Sequence, residues 1–223
     1  MIESNEIFFD SDKRIALWCN DIEDTSDLAV LADSIIENKI PVVSVPSKSL
    51  SFLWTCLEKT GVKIFTRYFV EASTRNFDID ISELSQNIIS FHKHGANGVQ
   101  IFVKNRDLER FVELFSIVRD DLFFEHDLCI VMNIQDINVD EWAGVFDSLR
   151  ELRTDSFGLV FDEDMGNRSD FIGRIYSMLD NWNFAGDLHF MLGNNFDRID
   201  QVIRLVESMR PELSDKLHFF LEY

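Results

Sequence analysis

Short runs rich in Val, Ile, Leu and Phe alternate along the chain with longer stretches whose apolar residues recur at three- and four-residue spacing. Eight runs begin near Arg14, Pro41, Lys63, Gly98, Asp127, Ser156, Gly186 and Lys216, and seven amphipathic stretches separate them. The repeat is roughly 30 residues, the length of one strand–helix unit of a parallel sheet. The runs are nearly continuous in apolar residues, as strands covered on both faces are. The pattern predicts an α/β fold of the TIM (β/α)8 type, with eight parallel strands closed into a barrel. An open, doubly wound sheet is the alternative. Eight units without a break, and no glycine-rich first turn, favour closure.

The expected strands are Arg14–Asn20, Pro41–Val45, Lys63–Glu71, Gly98–Lys104, Leu128–Ile134, Phe157–Phe161, Leu188–Leu192 and Leu217–Glu222. Leu28, Leu31, Ala32, Ile35 and Ile36 form the first helical stripe, with Thr25 or Ser26 as its N-cap. Further helices are expected over about Ser49–Thr60, Ile81–His94, Asp107–Leu122, Asp140–Leu152, Ser169–Asn181 and Asp197–Met209. Gly61 and Gly95 give C-terminal stop signals. The eighth helix of the pattern is absent after the last strand. The outer flank of strands 8 and 1 then needs cover, from residues around Ile7–Phe9 or from a second copy of the chain in a homodimer. We read residues 1–223 as one barrel domain, with 1–12 as an N-terminal extension.

Composition narrows the function. The chain has 223 residues, 46% hydrophobic, with 21 Phe but only 9 Gly and 3 Pro, so no flexible linker divides it. The formal charge of −19 argues against nucleic-acid partners and against docking on anionic membranes. Cys19, Cys56 and Cys129 are an odd, scattered set, which speaks against a disulfide framework and suggests small buried hydrophobes. There is no CxxC or HxxxH spacing, so neither a metal nor a cofactor is expected. The N-terminus lacks the pattern of a signal peptide, and a cytoplasmic location follows as the default.

A barrel gathers its chemistry on the loops after the C-terminal ends of its strands. Those positions hold Asn20, Asp21, Glu23 and Asp24; Ser47 and Lys48; Arg67 and Glu71; Lys104, Asn105 and Arg106; Asn133 and Asp136; Asp162, Glu163 and Asp164; Gly193, Asn194 and Asn195; and Glu222. Lys104 is the candidate nucleophile, since a rim lysine beside apolar residues can form a Schiff base with a carbonyl compound. It reads equally as a solvated rim residue or a partner of Asp107. Asp162 or Glu71 would move protons. Arg67 would hold an anionic group, with Asn20, Asn133 and Asn194 completing the binding set. The run Asp162–Asp164 could instead take a divalent cation, or simply start a helix. Gly193–Asn195 could present backbone donors to an anion. His189 and His218 fall near the starts of adjacent strands, away from the rim, where a shared structural hydrogen bond is expected.

Three segments resemble the deoxyribose-phosphate aldolase group of the class I aldolase barrels: Pro41-Val-Val-Ser-Val-Pro46, Gly61-Val-Lys-Ile-Phe-Thr66 and Gly95-Ala-Asn-Gly-Val-Gln-Ile101. They span the second to fourth units, less than half of the chain. The resemblance implies an aldolase-type barrel. The family's catalytic set does not carry over. Its strand-4 aspartate corresponds to Gln100, its strand-6 Schiff-base lysine falls near Leu159, and its strand-7 lysine falls near His189 or Phe190. No lysine occurs between Lys104 and Lys216.

The leading functional expectation is an aldolase-like barrel that acts on or binds a small polar or carbonyl metabolite at the C-terminal rim. A non-catalytic interaction or assembly protein, and a metal-assisted hydrolase or lyase using Asp162 and Asp164, are the alternatives.

Overall fold

The computed structural model of the chain describes residues 14–20, 22–70, 81–119, 127–161 and 168–223. Eight parallel strands close in chain order: β1 (Ile15–Trp18), β2 (Val42–Val45), β3 (Lys63–Phe69), β4 (Gly98–Phe102), β5 (Asp127–Asn133), β6 (Ser156–Val160), β7 (Asp187–Met191) and β8 (Leu217–Glu222). β8 pairs with β1 in the register Ile15 to Phe219 through Trp18 to Glu222, so the ring has no free edge. Among the described residues, seven α-helices lie between the strands: α1 (Thr25–Glu37), α2 (Ser47–Leu57), α3 (Ile81–Lys93), α4 (Leu108–Arg119), α5 (Trp142–Glu151), α6 (Arg168–Asp180) and α7 (Phe196–Met209). The open-sheet alternative is thereby excluded. Among the described residues, no helix is long and apolar enough to cross a membrane.

Successive side chains of a strand point to opposite faces, and here both faces are buried. Leu17, Val43, Ile64, Ile101, Ile130, Leu159, Phe190 and Phe219 point outward into the layer shared with the helices. Ala16, Val42, Phe65, Cys129, Val131, Met191 and Phe220 point inward and fill the barrel. Much of the phenylalanine content goes into the outer layer. Phe146 packs edge-on against Phe157 (6.1 Å between centroids) and Trp182 (5.1 Å), and stacks with Trp142 (5.9 Å). Aromatic pairs of this kind contribute about 0.5–1.5 kcal/mol each beyond the area they bury.

The structure moves several expected boundaries. The N-cap of α1 is Asp24, not Thr25 or Ser26; its carboxylate accepts from the Ser26 amide at 2.8 Å. A carboxylate serves well there because it also meets the positive end of the helix dipole. β5, β6 and β7 begin one residue earlier than expected, at Asp127, Ser156 and Asp187. Those polar residues face inward at the N-terminal end of the barrel, where a solvated chamber receives them.

The flank of β8 and β1 is closed. Its outward residues Ile15, Leu17, Phe219 and Leu221 are all buried. The segment Ile7–Phe9, the other expected cover, lies outside the described residues. All three cysteines are free. Cys19 and Cys129 are buried, as expected of small hydrophobes, whereas Cys56 is exposed on α2.

Candidate functional site

The strand ends surround a cavity of about 1050 Å³ at the C-terminal mouth of the barrel. Its floor and walls are inward side chains near the C-terminal ends of the strands: Trp18 on β1, Phe69 on β3, Phe102 on β4, Val131 on β5, Val160 on β6, Met191 on β7 and Phe220 on β8. The aromatic members brace one another. Phe69 stacks on Phe102 at 4.5 Å, and Trp18 meets the same ring edge-on at 5.7 Å. Polar groups stand above this floor: Lys104, Asn133 and Asp136 on one side, and Asn194, Asp197, Arg198 and Glu222 on the other.

The sequence-predicted residues separate into three groups. Lys104, Asn133 and Asn194 line the one cavity. Lys104 is exposed just past β4, and its ammonium makes no hydrogen bond or ion pair with the described residues; the expected pairing with Asp107 is absent, Asp107 facing Arg106 instead at 3.6 Å. Asn133 caps the short turn after β5 by accepting from the Gln135 amide at 2.9 Å. Asn194 bonds twice to the backbone of Glu222, accepting from its amide at 3.2 Å and donating to its carbonyl at 3.3 Å. This clamp ties the loop before α7 to the end of β8.

Arg67 is near but does not line the cavity. Its guanidinium lies 4.1 Å over the Trp18 ring and donates to the Cys19 carbonyl. Both contacts hold it against the C-terminal end of β1. Asn20 is not brought to the mouth. β1 ends at Trp18, so the alternation that would aim residue 20 inward has lapsed, and Asn20 lines a separate outer cleft with Glu23, Asp24 and Asp27. Glu71 and the run Asp162–Asp164 lie outside the described residues, as does Asp21. Among the described residues no three His, Cys, Asp or Glu side chains converge on a metal-sized point.

The family's catalytic positions are filled by groups of another kind. Gln100 faces the barrel interior, fully buried, and its Oε1 accepts from the Ser44 hydroxyl at 2.6 Å. Leu159 points outward into the helix layer. The inward residues of β6 are Ser156, Gly158 and Val160, and a Cβ on Gly158 would meet Val131 at 2.8 Å. β4 to β7 carry no lysine.

A second, smaller chamber of about 280 Å³ opens at the opposite end of the barrel. Lys63 and Asp127 pair there at 2.8 Å. His218 sits 3.7 Å from Asp187; burial raises the Asp187 carboxyl, but the bond and charge of His218 outweigh it and hold it below the usual carboxylate value. His189 is wholly enclosed, and burial pushes it down to about 3. Its Nδ1 lies 3.5 Å from Cys129 Sγ. The two histidines do not share the hydrogen bond expected of them. Their rings meet edge to face at 5.2 Å, because each imidazole turns toward a different neighbour.

Sequence reasoning found the polar rim but missed the floor. Trp18, Phe102, Met191 and Phe220 read as ordinary core. The signal that marks them is their position two residues before, or at, the last inward place of each strand, which becomes visible only once the inward face is known.

No protein-family model and no curated protein matches the chain. Solved structures do. A chain described as a deoxyribose-phosphate aldolase from Toxoplasma gondii ME49 superposes with a TM-score of 0.70 at 11% identity, over 94% of this chain and 87% of that one. The deoxyribose phosphate aldolase from Aeropyrum pernix gives 0.68 at 11% identity, over 94% and 85%. A protein described as QR15, an aldolase, gives 0.66 at 10% identity, over 94% and 90%. At these identities the likeness is one of fold: this chain is a TIM barrel that superposes on those of aldolases.

Proposed function

We propose that the protein binds a small organic molecule in the C-terminal mouth, with the ligand's apolar body on the Phe and Trp floor and its polar end at the rim. The observation that carries this reading is the cavity of about 1050 Å³ with an apolar floor and a polar brim. That is the build of a small-molecule site, in which apolar lining supplies affinity and a few polar groups fix orientation. A core packed for stability alone would fill such a volume with side chains.

The test is occupancy by a neutral aromatic probe, 3-tert-butylphenol, followed by saturation-transfer NMR on the full chain. Binding is expected in the wild type. Val160→Trp places an indole at the cavity floor and is expected to weaken binding at least tenfold with an unchanged circular-dichroism spectrum. Equal binding by the folded variant would refute the site.

A second reading is favoured by Lys104, an exposed amine on the cavity wall with no partner among the described residues. If the natural ligand carries a carbonyl group, Lys104 attacks it, water leaves, and an imine forms; this is the first step of aldolase-type lyase chemistry. Borohydride converts such an imine to a stable secondary amine. Incubation with short aldehydes and borohydride at neutral pH is expected to add the alkyl mass to the peptide holding Lys104, and Lys104→Ala to abolish that adduct. Labelling spread evenly over surface lysines would rule the imine out and leave the binding reading standing.

A further inference from the structure

The two sides of the mouth differ in what they offer a ligand. On the side of β7, β8 and β1, Glu222 projects from the last inward position of β8, with Trp18 as its register partner and Phe220 two residues below it on the same face. Phe196, at the start of α7, lines the cavity beside them. Barrels commonly hold phosphate with the loops after strands 7 and 8 and a helix N-terminus. Here that place is already negative. A Cβ on Gly193 would sit 3.9 Å from Glu222 Oε1, and the Asn194 clamp holds the β8 end against this loop. One α7 amide, that of Arg198, is taken by the Asn195 side chain at 3.1 Å.

Among the described residues no cation forms an ion pair with Glu222. Arg67 is spent on the Trp18 ring and the Cys19 carbonyl. Arg198 lies 5.4 Å over Phe171, a buried residue of the helix layer. Lys104 follows β4, which is half the ring away from β8. The net charge of −19 draws cations toward the protein as a whole.

From this arrangement, and resting on the reading of the mouth as a small-molecule site, we infer that the ligand's polar end is a protonated amine or quaternary ammonium group seated against Glu222. A carboxylate beside aromatic rings suits such a group twice over. The carboxylate supplies the counter-charge, and the ring faces attract a cation through their quadrupoles while covering its alkyl surface. A phosphate or carboxylate at the same place is repelled by Glu222. The site is thus selective for organic cations and closed to phosphorylated metabolites.

Calorimetric titration of the full chain with three probes of similar shape tests this: (3-hydroxyphenyl)trimethylammonium, its uncharged isostere 3-tert-butylphenol, and phenyl phosphate. The cation is expected to bind about fivefold more tightly than the isostere, the scale of one exposed ion pair, and phenyl phosphate least tightly. Glu222→Gln keeps the backbone clamp and is expected to reduce the cation to the isostere's affinity, while leaving the isostere unchanged. Asp147→Asn, on the exposed face of α5, serves as the control for general charge and is expected to change none of the three. Equal binding of cation and isostere by the wild type, a preference that survives Glu222→Gln, or tightest binding of phenyl phosphate would each overturn the inference while the cavity reading stands. If the isostere and the cation both fail to bind, both readings fall.

Discussion

Acidification from pH 7 toward pH 3 is expected to remove several kcal/mol of stability, and His189→Phe to remove most of that sensitivity. His189 is enclosed by Phe65 (5.4 Å between centroids), Phe220 (5.2 Å), His218 (5.2 Å) and Cys129. Burial is the main reason its pKa falls from 6.5 to about 3. The charge of His218 adds to the depression, that of Asp187 opposes it, and Lys63 adds a little more. The folded protein therefore holds this ring neutral, while the unfolded chain protonates it below pH 6.5. The contribution is complete above 6.5 and is lost progressively as pH falls from 6.5 toward 3, with a ceiling of about 4–5 kcal/mol. Urea unfolding of wild type and His189→Phe at pH 7.5, 6, 5 and 4 measures it. The wild-type midpoint should drop across the series, and that of the variant should drop far less. Asp187 adds a separate loss below the ordinary carboxylate value of 3.8. Parallel curves for the two proteins between pH 6.5 and 4 would show that His189 is not the source.

Gly95→Ala carries the next largest expected effect. Gly95 follows α3 at φ +101, a conformation that L side chains rarely adopt. Its amide donates to the His92 carbonyl at 2.8 Å and closes the helix. An alanine Cβ would lie 2.0 Å from Trp54 Cγ and 2.6 Å from Trp54 Cβ. Because the clash reaches the root of the indole, rotation of its far end does not relieve it. The backbone strain costs about 1–2 kcal/mol. With the displacement of Trp54 the total is expected to reach about 3 kcal/mol or more, lowering the melting temperature by about 6–12 °C for a domain of this size. Trp54→Ala in the same chain should recover the part due to the indole ring and leave the backbone strain and the 2.6 Å contact with the Cβ of residue 54. Strict additivity of the two substitutions would disprove the contact as the cause.

Particular elements show where the sequence was readable. The stripe Leu28, Leu31, Ala32 and Ile35 is buried as its spacing required, and the last strand, Leu217–Glu222, has the bounds its pattern indicates. Errors gather at polar ends. Asp127, Ser156 and Asp187 join the sheet although they break the apolar runs, because a polar chamber waits for them across the barrel axis. Asp24 displaces two hydroxyl residues as the cap of α1 because its carboxylate reaches the Ser26 amide. At the mouth, Lys104, Asn133 and Asn194 converge as strand-end residues should. Asn20 does not, since one strand ends two residues early, and Arg67 turns to Trp18 instead of the cavity.

The order of apolar runs and helical stripes by itself determined that this chain forms eight strands, separated by helices and covered on both faces, because periodicity is a local property of the chain. Which side chains meet was decided only by closure of the ring. Residues far apart in sequence, Trp18 with Glu222 and Cys129 with His189, become neighbours through strand register and barrel tilt. Those long-range contacts turned residues that read as core into the floor of a cavity.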